Sequence, residues 1–170
     1  MTTLIKHKRV EFSELFYDLV FVFAISKVTT LIEHLHNGIL TWNSFLDFFM
    51  AVLVLTDSWM IQTVYTNRYG KNSLFNMVIM FIKMGLLLFI ANMIGPDWQQ
   101  YFHYLCWAVG TLTFTLFLQY LVEFFRKSTD NVERESIKGF LWITGLGSLG
   151  VYLAALLPIY VGVSVLFASI

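Results

Sequence analysis

The chain has 170 residues, of which 58% are hydrophobic and 13% charged, and its formal net charge is zero. A soluble domain carries about 25% charged residues; this composition, with aromatics at 18% and seventeen Phe, excludes that class and points to an integral membrane protein. Zero net charge gives no basis for nucleic-acid binding, and the single cysteine, Cys106, excludes an intrachain disulfide and a thiolate metal cluster.

Taken in chain order, the basic start "KHKR" leads into an apolar run interrupted by Glu14 and Asp18. The run is too long for a signal-peptide core and no A-x-A site follows, so it reads as a retained first span. A hydrocarbon core of about 30 Å needs roughly 20 helical residues. Five stretches meet that length, at 12–32, 42–64, 74–94, 102–124 and 138–157, separated by "EHLHNGILT", "TNRYGKNS", "GPDWQQY" and "FRKSTDNVERES". A sixth run, 159–170, begins after Pro158 and is too short to cross as a helix, which is the expectation for a fragment of a longer protein. The fold class is therefore all-α, a single transmembrane bundle of five full spans and a truncated sixth.

Of the eleven Lys and Arg, only Lys27 and Lys83 lie inside spans. The other nine all precede span one or lie between spans two and three or four and five. This positive-inside asymmetry predicts a multi-pass protein of the cell membrane with a cytoplasmic N-terminus. Trp42 and Trp98 fall at the outer boundary and Trp142 near the inner one, where indoles prefer to sit.

Charges inside spans are the functional signal, since each costs about 2.5–3.5 kcal/mol to insert and normally faces a protein interior. Asp18 and Asp57 lie roughly 9 and 10 Å from the cytoplasmic ends of spans one and two. Glu14 is one turn from Asp18 on the same face, and Lys83 can snorkel toward this layer from mid-membrane. With Asn67 and Arg68 at its rim, this set predicts a polar path for an ion or small substrate. Lys27 and Asp47, opposite in sign and each roughly 8 Å from the outer end, are expected to pair as a structural element. The alternative is that all these charges only fix helix order and rotation.

Other patterns carry less. "GLGSLG" (Gly145 to Gly150) matches a dinucleotide fingerprint but lies inside a span, without the strand and aqueous helix start that chemistry needs. Gly147, Gly150 and Ala154 instead suit close helix approach. His34 and His36, with Glu33, form a weak metal candidate in the first outer loop, and His103 reads as interfacial. No nucleophile–base pair, P-loop or zinc spacing is present, so neither enzymatic activity nor a cofactor is expected; an intramembrane enzyme is the third reading.

The run "VEFSELFYDLVFVFAISKVTTLI" resembles the opening signature of the bacterial low temperature requirement A (LtrA) family, whose first span begins Glu-Leu-Phe-Phe-Asp-Leu-Val-Phe-Val. Glu14, Leu15, Phe16, Asp18, Leu19, Val20, Phe21 and Val22 match it, with Tyr17 at the second aromatic position. Span two is similar to the family's tryptophan-rich helix ending in Tyr-x-Asn-Arg-Phe: Trp59, Tyr65, Asn67, Arg68 and Tyr69 occupy those positions, while Asp57 and Ser58 depart from it. The resemblance implies a longer multi-span membrane protein. The family name records growth in the cold and implies no biochemical activity, so two functions are carried forward: a transport or permeation protein, and a structural or regulatory membrane component of the cold response. The expected partners are the lipid bilayer and an unidentified ion or small molecule, and an oligomer is compatible with the reading.

Overall fold

Long apolar runs become helices because a backbone removed from water must satisfy every N–H and C=O internally. The computed structural model describes residues 12–33, 41–69, 73–95, 98–126 and 131–169, without the side chains of residues 43, 131–133 and 167. The described residues form α1 (Phe12–Val28), α2 (Thr30–Glu33), α3 (Trp42–Tyr69), α4 (Leu74–Met93), α5 (Phe102–Arg126), α6 (Asn131–Leu156) and α7 (Ile159–Ser169), with a short 3-10 turn at Trp98–Tyr101 before α5. Five helical segments are long and apolar enough to cross a membrane: Phe12–Glu33, Ser44–Tyr69, Leu74–Met93, Trp98–Arg126 and Arg134–Leu156. The all-α bundle with five span-length helices is thus as the sequence predicts.

Two helices run further than their apolar stretches. α3 continues through Thr66, Asn67 and Arg68 to Tyr69, and α6 begins at Asn131 within the mixed-charge segment. Hydropathy falls at these ends before the helical hydrogen bonding does, so polar residues expected in loops are held on rigid helix. α1 ends at Val28, where Thr29 and Thr30 turn their hydroxyls back to the carbonyls of Ser26 (2.6 Å) and Lys27 (2.7 Å). Such side-chain bonds compete with the helical ladder, and α2 restarts one residue later.

α1 packs on α4, α4 on α5, α5 on α6 and α6 on α7, while α3 leans on α1, α2 and α5. The contacts place the starts of α4 and α6 beside the ends of α3 and α5: Tyr65 donates to Asn76 Oδ1 at 3.3 Å, and Tyr120 stacks on Phe140 at 5.0 Å. Arg68 and Arg126 lie in the last turns of α3 and α5, so this is called the basic end. At the opposite end, His103 Nδ1 bonds the Ala155 carbonyl at 2.7 Å, satisfying an acceptor in the last turn of α6 that the helix itself leaves open.

Glycine sets the α6–α7 contact. A Cβ on Gly162 would stand 2.8 Å from the Ala154 carbonyl oxygen and 2.7 Å from the Phe102 ring, and one on Gly147 would stand 2.9 Å from the Ser169 carbonyl oxygen. Small residues let membrane helices approach to backbone contact, and here they dock α7 antiparallel on α6. The close-approach role expected for Gly147 and Gly150 is observed, Ser169 being the neighbour of both.

Candidate functional site

At the middle of α4, Lys83 is completely buried. Its Nζ donates to Gln62 Oε1 of α3 and, at 2.5 Å, to Gln119 Oε1 of α5. Gln62 passes its own Nε2 hydrogen to Thr66 Oγ1 at 2.9 Å, one turn along α3. Gln62 and Gln119 are exposed by only 2% and 1%, so both amides are shielded from solvent, and their carbonyl oxygens are the hydrogen-bond acceptors of Lys83 among the described residues. Hydrogen bonds to a charged group are worth about 1.5–3 kcal/mol each, enough for two of them to offset an insertion cost of about 2.5–3.5 kcal/mol.

The same face continues toward the basic end as an aromatic and acidic layer. Tyr65 and Tyr69 of α3 meet Tyr120 of α5 edge-on, at centroid distances of 5.1 and 6.0 Å. Glu123 is 3% exposed, one turn beyond Gln119 on α5. Among the described residues neither Glu123 Oε1 nor the Tyr120 hydroxyl has a hydrogen-bond partner. Beyond this layer Arg68 lies over the Tyr69 ring at 5.5 Å and Arg134 of α6 over Phe124 at 4.9 Å. Along α3 and α5 the order is Lys83 with its two glutamines at mid-helix, then tyrosines and a buried carboxyl, then exposed arginines.

The six path residues expected from sequence are not gathered into one site. Lys83 is at the centre, but it bonds glutamines and no carboxylate. Glu14 is half-buried and Asp18 exposed on α1; Asp18 accepts from Trp59 Nε1 at 2.9 Å, and Trp59 stacks on Phe21 at 5.4 Å. Asp57 is half-buried and makes no hydrogen bond with Lys83, and Asn67 and Arg68 are exposed. The Lys27–Asp47 pair is also replaced. Asp47 accepts from Trp98 Nε1 at 3.1 Å, because the 3-10 turn swings that indole onto α3. Lys27 lies 5.8 Å from the Phe23 ring centroid on its own helix. Each group therefore has an aromatic neighbour in place of the expected opposite charge.

Sequence reasoning missed Gln62 and Gln119, which carry no formal charge, and Glu123, a formal charge beside the end of span four. A signal existed. Gln62 and Thr66, like Gln119 and Glu123, are four apart and share a helix face, and a polar pair of that spacing inside a span faces protein rather than lipid. Among the described residues no group of three His, Cys, Asp or Glu could hold a metal ion; His34 and His36 lie outside the described residues. Cys106 is buried against an apolar cavity of about 70 Å³, which Phe102, Asp47 and Trp98 also line.

The family model for the bacterial low temperature requirement A protein matches residues 9–170. The chain belongs to the LtrA family. Neither a curated relative nor a solved structure matches it. The LtrA match spans every described helix, so α1 with its Glu14–Asp18 signature and the helices that carry the Lys83 cluster are parts of one family unit. With five span-length helices, this LtrA chain is an integral membrane protein.

Proposed function

We propose that this LtrA-family chain is a membrane transport or permeation protein whose working centre is Lys83 with Gln62 and Gln119. One observation carries the reading: a lysine is completely buried at mid-span, and neutral amides rather than a carboxylate accept its hydrogen bonds. A cation kept only for packing is cheaper to replace by an apolar side chain, whereas ionisable groups retained inside membranes mark ion and substrate paths. Amide carbonyls also suit a permeating cation or proton, because they solvate positive charge without trapping it.

The proposed setting is the cell membrane, with the N-terminus and the basic end in the cytoplasm, as the distribution of Lys and Arg supports. The bilayer is the proposed partner, together with an ion or small molecule; no catalytic role is assigned. A second reading, a structural or regulatory membrane component, has its own support. Asp18 and Asp47 each receive an indole N–H from another element, so these two carboxylates serve helix placement.

Reconstitution in liposomes separates the readings. Under the transport reading, ion flux across the vesicle membrane is lost in Lys83→Met while the variant still inserts and folds. Under the structural reading, wild type and variant show the same flux as empty vesicles.

A further inference from the structure

Among the described residues two charged side chains are fully buried, Lys83 and Glu123, and they are opposite in sign. The bundle nevertheless keeps them from pairing. Lys83 bonds Gln62 and Gln119, and Glu123 Oε1 is left without a hydrogen-bond partner. Gln119 accepts from Lys83 and stands four residues before Glu123 on the same face of α5, a rise of about 6 Å. The hydroxyl of Tyr120, the residue after Gln119, is also buried and, among the described residues, unpartnered. Two orphan polar atoms in one layer are an exception to the rule that buried polar groups are satisfied, and bound water is the usual remedy. Other charged and titratable groups also bear on this layer. Tyr65 and Tyr69 of α3 meet the Tyr120 ring, Arg68 lies over Tyr69, and Arg126 is in the last turn of α5. α6 contributes Arg134 over Phe124.

We propose, resting on the transport reading above, that the ion is the proton and that Glu123 exchanges protons between Lys83 and the basic end. The Lys83 ammonium gives a proton to bridging water, and that water passes a proton to the Glu123 carboxylate. The products are a neutral amine and a neutral carboxyl, with no net change in buried charge. Glu123 then releases its proton toward the arginine-rich surface, and Lys83 is reloaded from the opposite side. Gln119 and Tyr120 hold the water and do not themselves change charge.

Two measurements on the whole chain test this. The first is proton uptake into proteoliposomes under an imposed pH gradient, read with an entrapped dye. Glu123→Gln lowers it at least about tenfold, as loss of a positioned proton carrier does, and Glu123→Asp restores part of it. The second is modification by dicyclohexylcarbodiimide, which adds to protonated buried carboxyls, mapped by mass spectrometry. Labelling of Glu123 differs several-fold between the wild type and Lys83→Met, because the lysine with which Glu123 shares a proton is gone. If Lys83→Met does not fold, Gln119→Leu, which breaks the bridge, carries the same comparison. Labelling of Glu123 that ignores both changes, or wild-type proton uptake by Glu123→Gln, overturns the proposal. Wild-type vesicles that move no protons overturn proton transport, while the labelling still decides whether Lys83 and Glu123 share a proton.

Discussion

Replacing Gln62 by Leu removes one of the two acceptors on Lys83 and leaves the rest of α4 unchanged. The lost bond is to a charged donor and is worth about 1.5–3 kcal/mol, and the 2.9 Å bond from Gln62 to Thr66 adds about 0.5–1.5 kcal/mol. Because both sites are fully buried, water cannot substitute, and the variant is expected to lose about 2–4.5 kcal/mol of stability. A double-mutant cycle isolates the part that belongs to the cation. In a Lys83→Met background the same Gln62→Leu change forfeits only the Thr66 bond, so the coupling is about 1.5–3 kcal/mol. Denaturant unfolding in mixed micelles, followed by tryptophan fluorescence, measures all four corners of the cycle. Coupling below about 0.5 kcal/mol, the range of independent sites, would refute the claim that Gln62 solvates the Lys83 charge.

Three further outcomes follow from the geometry. Trp59→Phe keeps a ring against Phe21 but removes the N–H that Asp18 accepts, so it destabilises by about 1–3 kcal/mol, and Trp59→Phe in an Asp18→Asn background costs measurably less. Gly162→Ala forces a methyl against the Ala154 carbonyl oxygen and lowers stability by about 1–3 kcal/mol, as overpacking does; an unchanged unfolding midpoint would contradict the close α6–α7 contact. A cysteine placed at position 130 is labelled by an impermeant maleimide only in inside-out vesicles, against a low background because Cys106 is buried; labelling from outside contradicts the cytoplasmic basic end.

How far the sequence could be read differs between backbone and site. Span number and span order were legible because sustained hydropathy over about 20 residues is an unambiguous signal. The end of α3 was not, since Thr66, Asn67 and Arg68 are polar, yet they remain helical where Tyr65 and Tyr69 pack on Tyr120. Position along a helix is also legible, and Lys83 stands at the middle of α4. Rotation is much less so: a helix turns about 100° per residue, and a one-residue error moves a side chain to another neighbour. That is why an equal expected depth did not bring Lys27 to Asp47, which Trp98 meets instead. The glutamines escaped because an amide carries no formal charge, although inside a bundle its carbonyl is as necessary to a buried ammonium as a carboxylate would be.

The most direct test of the central claim is ion flux through the reconstituted chain with Lys83 intact and with Lys83→Met, both shown to be folded by gel filtration and tryptophan fluorescence. The account predicts flux in the wild type, restored in part by Lys83→Arg and absent in Lys83→Met. Equal flux in the wild type and a folded Lys83→Met variant would contradict it, and would leave the buried lysine as a packing element alone.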